Sequence, residues 1–287
     1  MLEIPMDDLL RYVREDAPFG DVTTSAVIPV MNCRAVIIAR ENGVIAGLHD
    51  VIRLFSYYEI ACSSTKQDGD EVQAGDELLF CTGSAHTILL LERTVLNLMG
   101  RMSGIATSVR RVSELVTSVN QSCRVAVTRK TAPGLRIADK KAALIGGAET
   151  HRFCLSDAIL IKDNHLVLVP LQEAVLRAVS YSPYRVVEVE VEDSQSACIA
   201  AESGAAILLL DNMSPEEVQE TVDLLIAKNL KKLVKIEISG GITHENIGRY
   251  ASLPVDIISL GSLTHTVRPV DMSLDILPSS SDNGNDI

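Results

Sequence analysis

The sequence predicts an α/β protein whose second half is a parallel sheet or barrel. Three observations carry this. From Arg124 onward, short apolar and β-branched runs at 124–128, 157–161, 186–191, 206–210, 233–238 and 255–260 alternate with stretches rich in helix formers. Repeated βα units of that length specify parallel strands. Each run ends in residues suited to chemistry, and parallel α/β folds bind ligands at the carboxyl ends of their strands. Finally, the stretch from Thr128 to His165 is positive: between residues 129 and 163, seven Lys or Arg stand against four Asp or Glu, in a chain of net charge −12. A positive island on an acidic protein gathers a small anion. On charge alone, a solvated basic surface accounts for it equally well.

Taken in order, residues 5 to 15 read as a short helix, and Glu15 to Thr24 as a polar, turn-rich loop. Arg34 to Ile45 is β-rich. Asp68 to Asp76 holds two turns around a short strand, followed by Glu77 to Cys81. Such hairpins occur in biotin- and lipoyl-carrier folds, but no Lys stands at a tip, so this one reads as scaffold. A long helix begins near Thr87. Val95, Leu98, Met102, Ile105, Val109, Val112 and Val116 form its apolar stripe at alternating spacings of three and four. Gly100 and Gly104 interrupt it, each at a cost of about 1 kcal/mol against Ala, which implies close approach or a break. Leu135 to Ile145 forms the helix of a strand–helix–strand unit, stopped by Gly146 and Gly147. Ser214-Pro215-Glu216-Glu217 is a strong helix start. The tail from Pro278 is polar, and disorder is expected there.

A chain of 287 residues with 47% hydrophobic content builds a large core and allows two domains. No run of eighteen uncharged apolar residues occurs, so no membrane partner is expected. The acidic N-terminus lacks a signal-peptide pattern. The six cysteines form no C-x-x-C pair and read as reduced core residues. Net charge and an aromatic content of 3% argue against a nucleic-acid partner. A cytoplasmic location is expected.

The strand ends form a constellation. The first run gives Arg129 and Lys130, the second Lys162 and Asp163. In the third, alternation puts Glu188, Glu190 and Glu192 on one strand face. Three carboxylates cannot all be buried unpaired, so some meet cations or water at the rim. The fourth gives Asp211-Asn212, the fifth Ser239-Gly240-Gly241 and the sixth Gly261-Ser262. Backbone N–H groups freed by glycine make a phosphate cradle, and barrels place it after their last two strands. Arg, Lys and Gly would hold phosphates, and Glu190 with Asp211 a Mg²⁺ bound to phosphate oxygens. The residues alone thus point to a barrel enzyme for a phosphorylated, metal-chelated substrate.

Motifs over nearly the whole chain then make the comparison specific. They are E-D-x-P-x-G-D-x-T-T (15–24), E-R-T-V-L-N-L-M-G-R-M-S-G-I-A-T (92–107), T-R-K-T-A-P-G-L-R (128–136), G-G-A-E-T-H-R (146–152) and L-I-K-D-N-H (160–165). V-E-V-E (187–190), L-L-L-D-N (208–212), S-G-G-I (239–242) and L-G-S-L-T-H (260–265) continue the series. In these, in this order, the chain resembles the quinolinate phosphoribosyltransferases. It departs from them at Ala148, where a third glycine is usual, and at Gly100, where a longer polar residue is common. A paralogous group associated with molybdenum transport shares the fold but tends to lose K-D-N-H, which is intact here. That group is the alternative, and a non-catalytic regulator on the same scaffold is a more distant one.

The resemblance implies an N-terminal α/β sandwich domain over 1–110, to which 266–278 returns. It implies an open seven-stranded α/β barrel over 111–265, leaving 279–287 as a tail. It implies phosphoribosyl transfer from phosphoribosyl pyrophosphate to quinolinate with decarboxylation, dependent on Mg²⁺. Arg129, His151, Arg152 and Lys162 would grip the two acceptor carboxylates. Lys130, Glu190 and Asp211 would serve the donor and its metal, while Ser239, Gly240, Gly261 and Ser262 cradle its 5-phosphate. A homodimer with shared active sites, or a higher homo-oligomer, is implied, with Arg93 entering the partner's site.

Overall fold

The computed structural model of the chain describes residues 2–243 and 245–278. Its elements begin with α1 (Met6–Asp16), α2 (Val22–Val27), β1 (Asn32–Ala39), β2 (Gly43–Val44), α3 (Leu48–Tyr57), β3 (Ala61–Ser63), β4 (Glu71–Val72), β5 (Glu77–Ser84) and α4 (Ala85–Val119). Next come β6 (Arg124–Ala126), α5 (Arg136–Gly146), β7 (Ile159–Ile161), α6 (Asp163–Leu166), α7 (Leu171–Tyr181), β8 (Val187–Val191), α8 (Ser194–Glu202) and β9 (Ile207–Asp211). The chain continues with α9 (Pro215–Ala227), a 3₁₀ turn (Lys231–Leu233), β10 (Lys235–Ser239), α10 (Ile247–Ala251), β11 (Ile257–Ser259), α11 (Ser262–His265) and β12 (Met272–Leu277). These fall into two compact units. One holds the residues up to Ser108, 132–146 and those from Thr266; the other holds Val109–Thr131 and Gly147–His265.

In the first unit an antiparallel sheet runs β12-β1-β5-β3. β12 pairs with β1 from Arg34↔Leu277 to Ala39↔Met272, which brings the 266–278 segment back to the N-terminal unit. The loop expected up to Thr24 gives way to α2, because the Asp21 side chain accepts from the Thr23 and Thr24 amides and caps a helix there. The stripe residues Val95, Leu98, Met102 and Ile105 are all buried. α4 runs unbroken for 35 residues, so its glycines mark close approach and not a break. A Cβ on Gly104 would lie 2.2 Å from the Arg268 carbonyl oxygen, and Gly100 O accepts from the Val270 amide at 2.9 Å.

α5 also belongs to the first unit, not with the strands on either side of it. Its buried polar face explains why. Asp139, fully buried, receives a two-pronged bond from Arg101 Nε and an Nη at 2.8 and 2.9 Å. Lys141 Nζ lies 2.6 Å from Asp50 Oδ2, with both side chains sealed from solvent. Lys140 is equally buried. These lysines therefore add nothing to an exposed positive surface, and the basic island of the sequence is smaller than its count.

The second unit is built on six parallel strands in the order β6-β11-β10-β9-β8-β7. A parallel bridge between Ala126 and Glu149 adds a seventh β position beyond β6, and the barrel stays open between it and β7. Val187, Val189 and Val191 bury one face of β8, as do Ile236 and Ile238 of β10. The opposite faces carry Glu188, Glu190 and Glu237, which alternation turns inward together. Ser214 caps α9 by accepting from the Glu217 amide, and Glu217 returns the bond to the Ser214 amide. No helix among the described residues is long and apolar enough to cross a membrane. The expected tail, 279–287, lies outside the described residues.

Candidate active site

At the carboxyl ends of these strands opens a cleft of about 540 Å³. Arg129 and Lys130 follow β6, Lys162 follows β7, and Glu190 and Asp211 stand near the ends of β8 and β9. Ser239 ends β10 and leads into Gly240 and Gly241, while His151 and Arg152 come from the loop after Glu149. Every predicted site residue lines this cleft except Arg93, Gly261 and Ser262. Gly261 stands directly behind Lys130: a Cβ there would come within 2.8 Å of the Lys130 side chain. Ser262 is exposed at the start of α11. Arg93 belongs to the first unit, where its side chain is 63% exposed. A second hollow, lined by Lys231, Lys232 and Lys235, lies at the opposite, amino-terminal ends of β9 and β10, where Asp256 already pairs with Lys231 at 3.0 Å and with Lys235 at 2.7 Å.

The electrostatics of the cleft are those of a polyanion site. Arg129 Nε is buried without a hydrogen-bond partner. A buried cationic donor left unmade costs more than an ordinary one, so it is poised for an anion. Burial, and then the neighbouring Arg129 charge, hold the Arg152 guanidinium below its ordinary pKa, while Glu188 pulls it back up. Lys162 Nζ meets Glu190 Oε2 at 2.5 Å. Of the three glutamates sharing one face, Glu192 is exposed, Glu190 pairs with this lysine and Glu188 is buried.

Asp211 is held above its ordinary pKa by burial first and by the Glu190 charge next, with Lys162 and Lys130 opposing. A carboxyl group whose proton affinity is raised by a neighbouring carboxylate at the mouth of a cleft is what a hard divalent cation relieves, and the oxygens of the pair suit Mg²⁺. Past Ser239 the backbone is open. Gly240 and Gly241 have φ of 88° and 62°, and a Cβ on Gly240 would strike Asn212 Oδ1 at 2.2 Å. Only glycine permits this close turn.

Two further acidic residues belong here: Glu188, read from the sequence only as one of three glutamates on a strand face, and Glu237, which was not anticipated. Glu188 and Glu237 lie beneath the cleft with His151, their ligand atoms within 4.8 Å of one another. His151 Nε2 is 3.1 Å from Glu188 Oε1 and 3.4 Å from Glu237 Oε1, and Nδ1 accepts the Arg152 backbone N–H at 2.6 Å. Both ring nitrogens thus have partners inside the protein, while the side chain still lines the cleft. The available signal was a carboxylate at inward parity in an apolar strand, two residues ahead of each rim residue.

Concentrated cationic donors facing paired carboxylates at the open end of an α/β barrel define a transferase type that handles several phosphate and carboxylate groups at once. Residues 21–103 match the N-terminal domain of quinolinate phosphoribosyl transferase, and residues 105–275 match its C-terminal domain. The chain belongs to that family. It is 44% identical to a probable nicotinate-nucleotide pyrophosphorylase [carboxylating] of Methanothermobacter thermautotrophicus, over 94% of this chain and 98% of that one. It is 37% identical to the Rattus norvegicus nicotinate-nucleotide pyrophosphorylase [carboxylating], over 92% and 88%. The crystal structure of NadC from Streptococcus pyogenes superposes with a TM-score of 0.88 at 35% identity, covering 97% of this chain and all of that one. Nothing in these comparisons supports the molybdenum-associated alternative.

Proposed function

We propose that this protein transfers the phosphoribosyl group of phosphoribosyl pyrophosphate to the ring nitrogen of quinolinate and removes the 2-carboxylate, giving nicotinate mononucleotide, pyrophosphate and CO₂. The observation that carries the reading is the unpartnered, buried Arg129 Nε beside Arg152, a pair of guanidiniums set for a compact dianion. The names of the relatives support the same reaction.

In this reading Arg129 and Arg152 hold the acceptor carboxylates, and Lys162 adds a third cation. Lys130 meets the departing pyrophosphate. As the C1–O bond breaks, pyrophosphate keeps the electron pair and the ribose gains oxocarbenium character, which Glu190 and Asp211 stabilise across the cleft. The ring nitrogen lone pair closes on C1. The ring, now a pyridinium, accepts the electrons of the C2–carboxylate bond, CO₂ leaves, and C2 takes a proton. The cleft walls contribute by orienting the two substrates and excluding water. Glu190 and Asp211 would hold Mg²⁺, which supplies charge neutralisation to the donor's phosphates when bound. Ser239, Gly240, Gly261 and Ser262 would present amides and hydroxyls to the 5-phosphate.

Two further assignments complete the reading. The protein works as a homodimer in which Arg93 reaches the partner's cleft, a reading supported by the exposure of its side chain. It works in the cytoplasm, supported by six free cysteines. The deciding experiment mixes purified protein with quinolinate, phosphoribosyl pyrophosphate and Mg²⁺ and follows products by mass. Nicotinate mononucleotide and CO₂ in equal amounts are expected; absence of both would refute the reading.

A further inference from the structure

The side chains of His151, which lines the cleft, and of Glu188 and Glu237, which do not, are 8%, 4% and 2% exposed. The Arg152 amide can only donate, so His151 Nδ1 is the acceptor and the ring proton sits on Nε2, facing the two carboxylates. A ring that ligates metal through Nε2 carries its proton on Nδ1, where it would oppose that amide. The trio is therefore a proton site, not a metal site. One N–H donor now stands between two buried carboxylates, and Glu237 Oε1 has no hydrogen-bond partner. Glu188 has the Arg152 charge near it, whereas Glu237 is faced by the His151 N–H, the Ser259 hydroxyl and the like charge of Glu188, so a second buried negative charge on Glu237 is costly. A second proton in the trio removes the excess.

We infer that Glu237 is a positioning residue of the acceptor subsite: its carboxyl group keeps a proton beneath His151, and the ring passes that state to the backbone of Arg152. His151 is well placed to do so. Its φ of 51° is a left-handed conformation uncommon for a residue with a side chain, and the carboxylates on one side of the ring and the Arg152 amide on the other support it. The groups that face Glu237 are Glu188 from β8, the His151 ring from the loop and the Ser259 hydroxyl from β11. Burial first, and Glu188 next, push Glu237 up to about 7, with His151 and Ser259 opposing.

A functional consequence follows, resting on the acceptor being a dianion in this cleft. A dianion bound above the trio disfavours a charged Glu237 further, so acceptor binding takes up protons near neutrality. The sign is fixed by linkage: affinity is highest with Glu237 neutral and falls as pH rises through the free protein's value. Acceptor discrimination and pH response thus share one buried carboxyl group that touches no substrate.

The test is calorimetry of quinolinate binding to the full-length protein from about pH 6 to about pH 8, in two buffers of different ionisation heat. Quinolinate is fully ionised throughout this window. The wild type is expected to take up part of a proton and to lose roughly three- to ten-fold in affinity across the window. Glu237→Gln, which leaves a neutral amide in place, is expected to lose both effects. Ser259→Ala removes a group that lowers the Glu237 pKa and is expected to move the uptake profile to higher pH. Wild-type binding without proton uptake, or the same uptake in a folded Glu237→Gln, overturns the inference alone. If Glu237→Gln does not fold, an unmoved profile in Ser259→Ala overturns it. No quinolinate binding by the wild type overturns the functional reading and this inference with it.

Discussion

Lys162 Nζ and Glu190 Oε2 lie 2.5 Å apart, so a cation proposed for the acceptor is already paired with a carboxylate proposed for the donor. The pair joins the two halves of the proposed chemistry. Loss of either partner leaves the other charge partly buried and uncompensated, with Glu190 12% exposed and Lys162 42%. Their effects on the two substrates should differ in kind.

Glu190→Gln is expected to lower Mg²⁺-dependent turnover by roughly a hundredfold, about 3 kcal/mol in the transition state. Quinolinate affinity should hold or tighten, because Lys162 is released from its partner. Asp211→Asn should show the same loss of turnover without the tightening. Mg²⁺ titrations of rate, run beside calorimetry of quinolinate, check both. A matching fall in quinolinate affinity would show these carboxylates serving the acceptor instead.

Nicotinate, which lacks the second carboxylate, should be at least about a hundredfold poorer in kcat/KM than quinolinate. The cause is the Arg129 donor that a mono-acid leaves unmade inside the cleft. Arg129→Ala should narrow the preference chiefly by damaging quinolinate. Comparable turnover of the two acids by the wild type would remove the basis for a dianion subsite.

The shared-site homodimer is testable by complementation. Arg93→Ala and Lys130→Ala should each be nearly inactive alone. Random mixing makes about half the dimers hybrid, each with one site carrying both lesions and one carrying none, so roughly a quarter of wild-type activity should return. If hybrids form and no activity returns, Arg93 acts within its own subunit or only structurally.

Stability should be most sensitive where buried polar groups meet in the first unit. Asp50→Ala strands the sealed Lys141 ammonium and should cost about 3–5 kcal/mol in urea unfolding. Gly104→Ala drives a methyl group to 2.2 Å from the Arg268 carbonyl and should cost at least about 2 kcal/mol despite the better helix propensity of alanine. A neutral or stabilising Gly104→Ala would mean that the 268–270 segment moves away freely.

Much of this architecture was legible in the sequence because period and punctuation agree. β8, β9 and β10 fall within a residue or two of the apolar runs that announced them, and the Ser214 cap forms as read. The rim residues were legible because charge after a buried strand has little else to do. What was not legible depends on contacts distant in sequence. That α5 joins the first unit rests on Asp139 and Lys141 finding Arg101 and Asp50, up to 91 positions away. The unpaired counts of acids and bases gave no sign that these charges cancel in the interior. Glu237 was hidden for the same reason, since its meaning comes from His151, which lies on a different segment.

The pairing of β12 with β1 sets an order of events at the ribosome. β1 ends at Ala39, and its partner on that edge is not made until Leu277 has been added. Throughout the synthesis of the whole barrel, one side of β1 presents unpaired amides and carbonyls to any other extended chain. The barrel strands of the second unit, by contrast, are all made before that closure. The last dozen described residues therefore act as the clasp of the molecule: a chain released short of them has every group of the cleft and still carries an open seam.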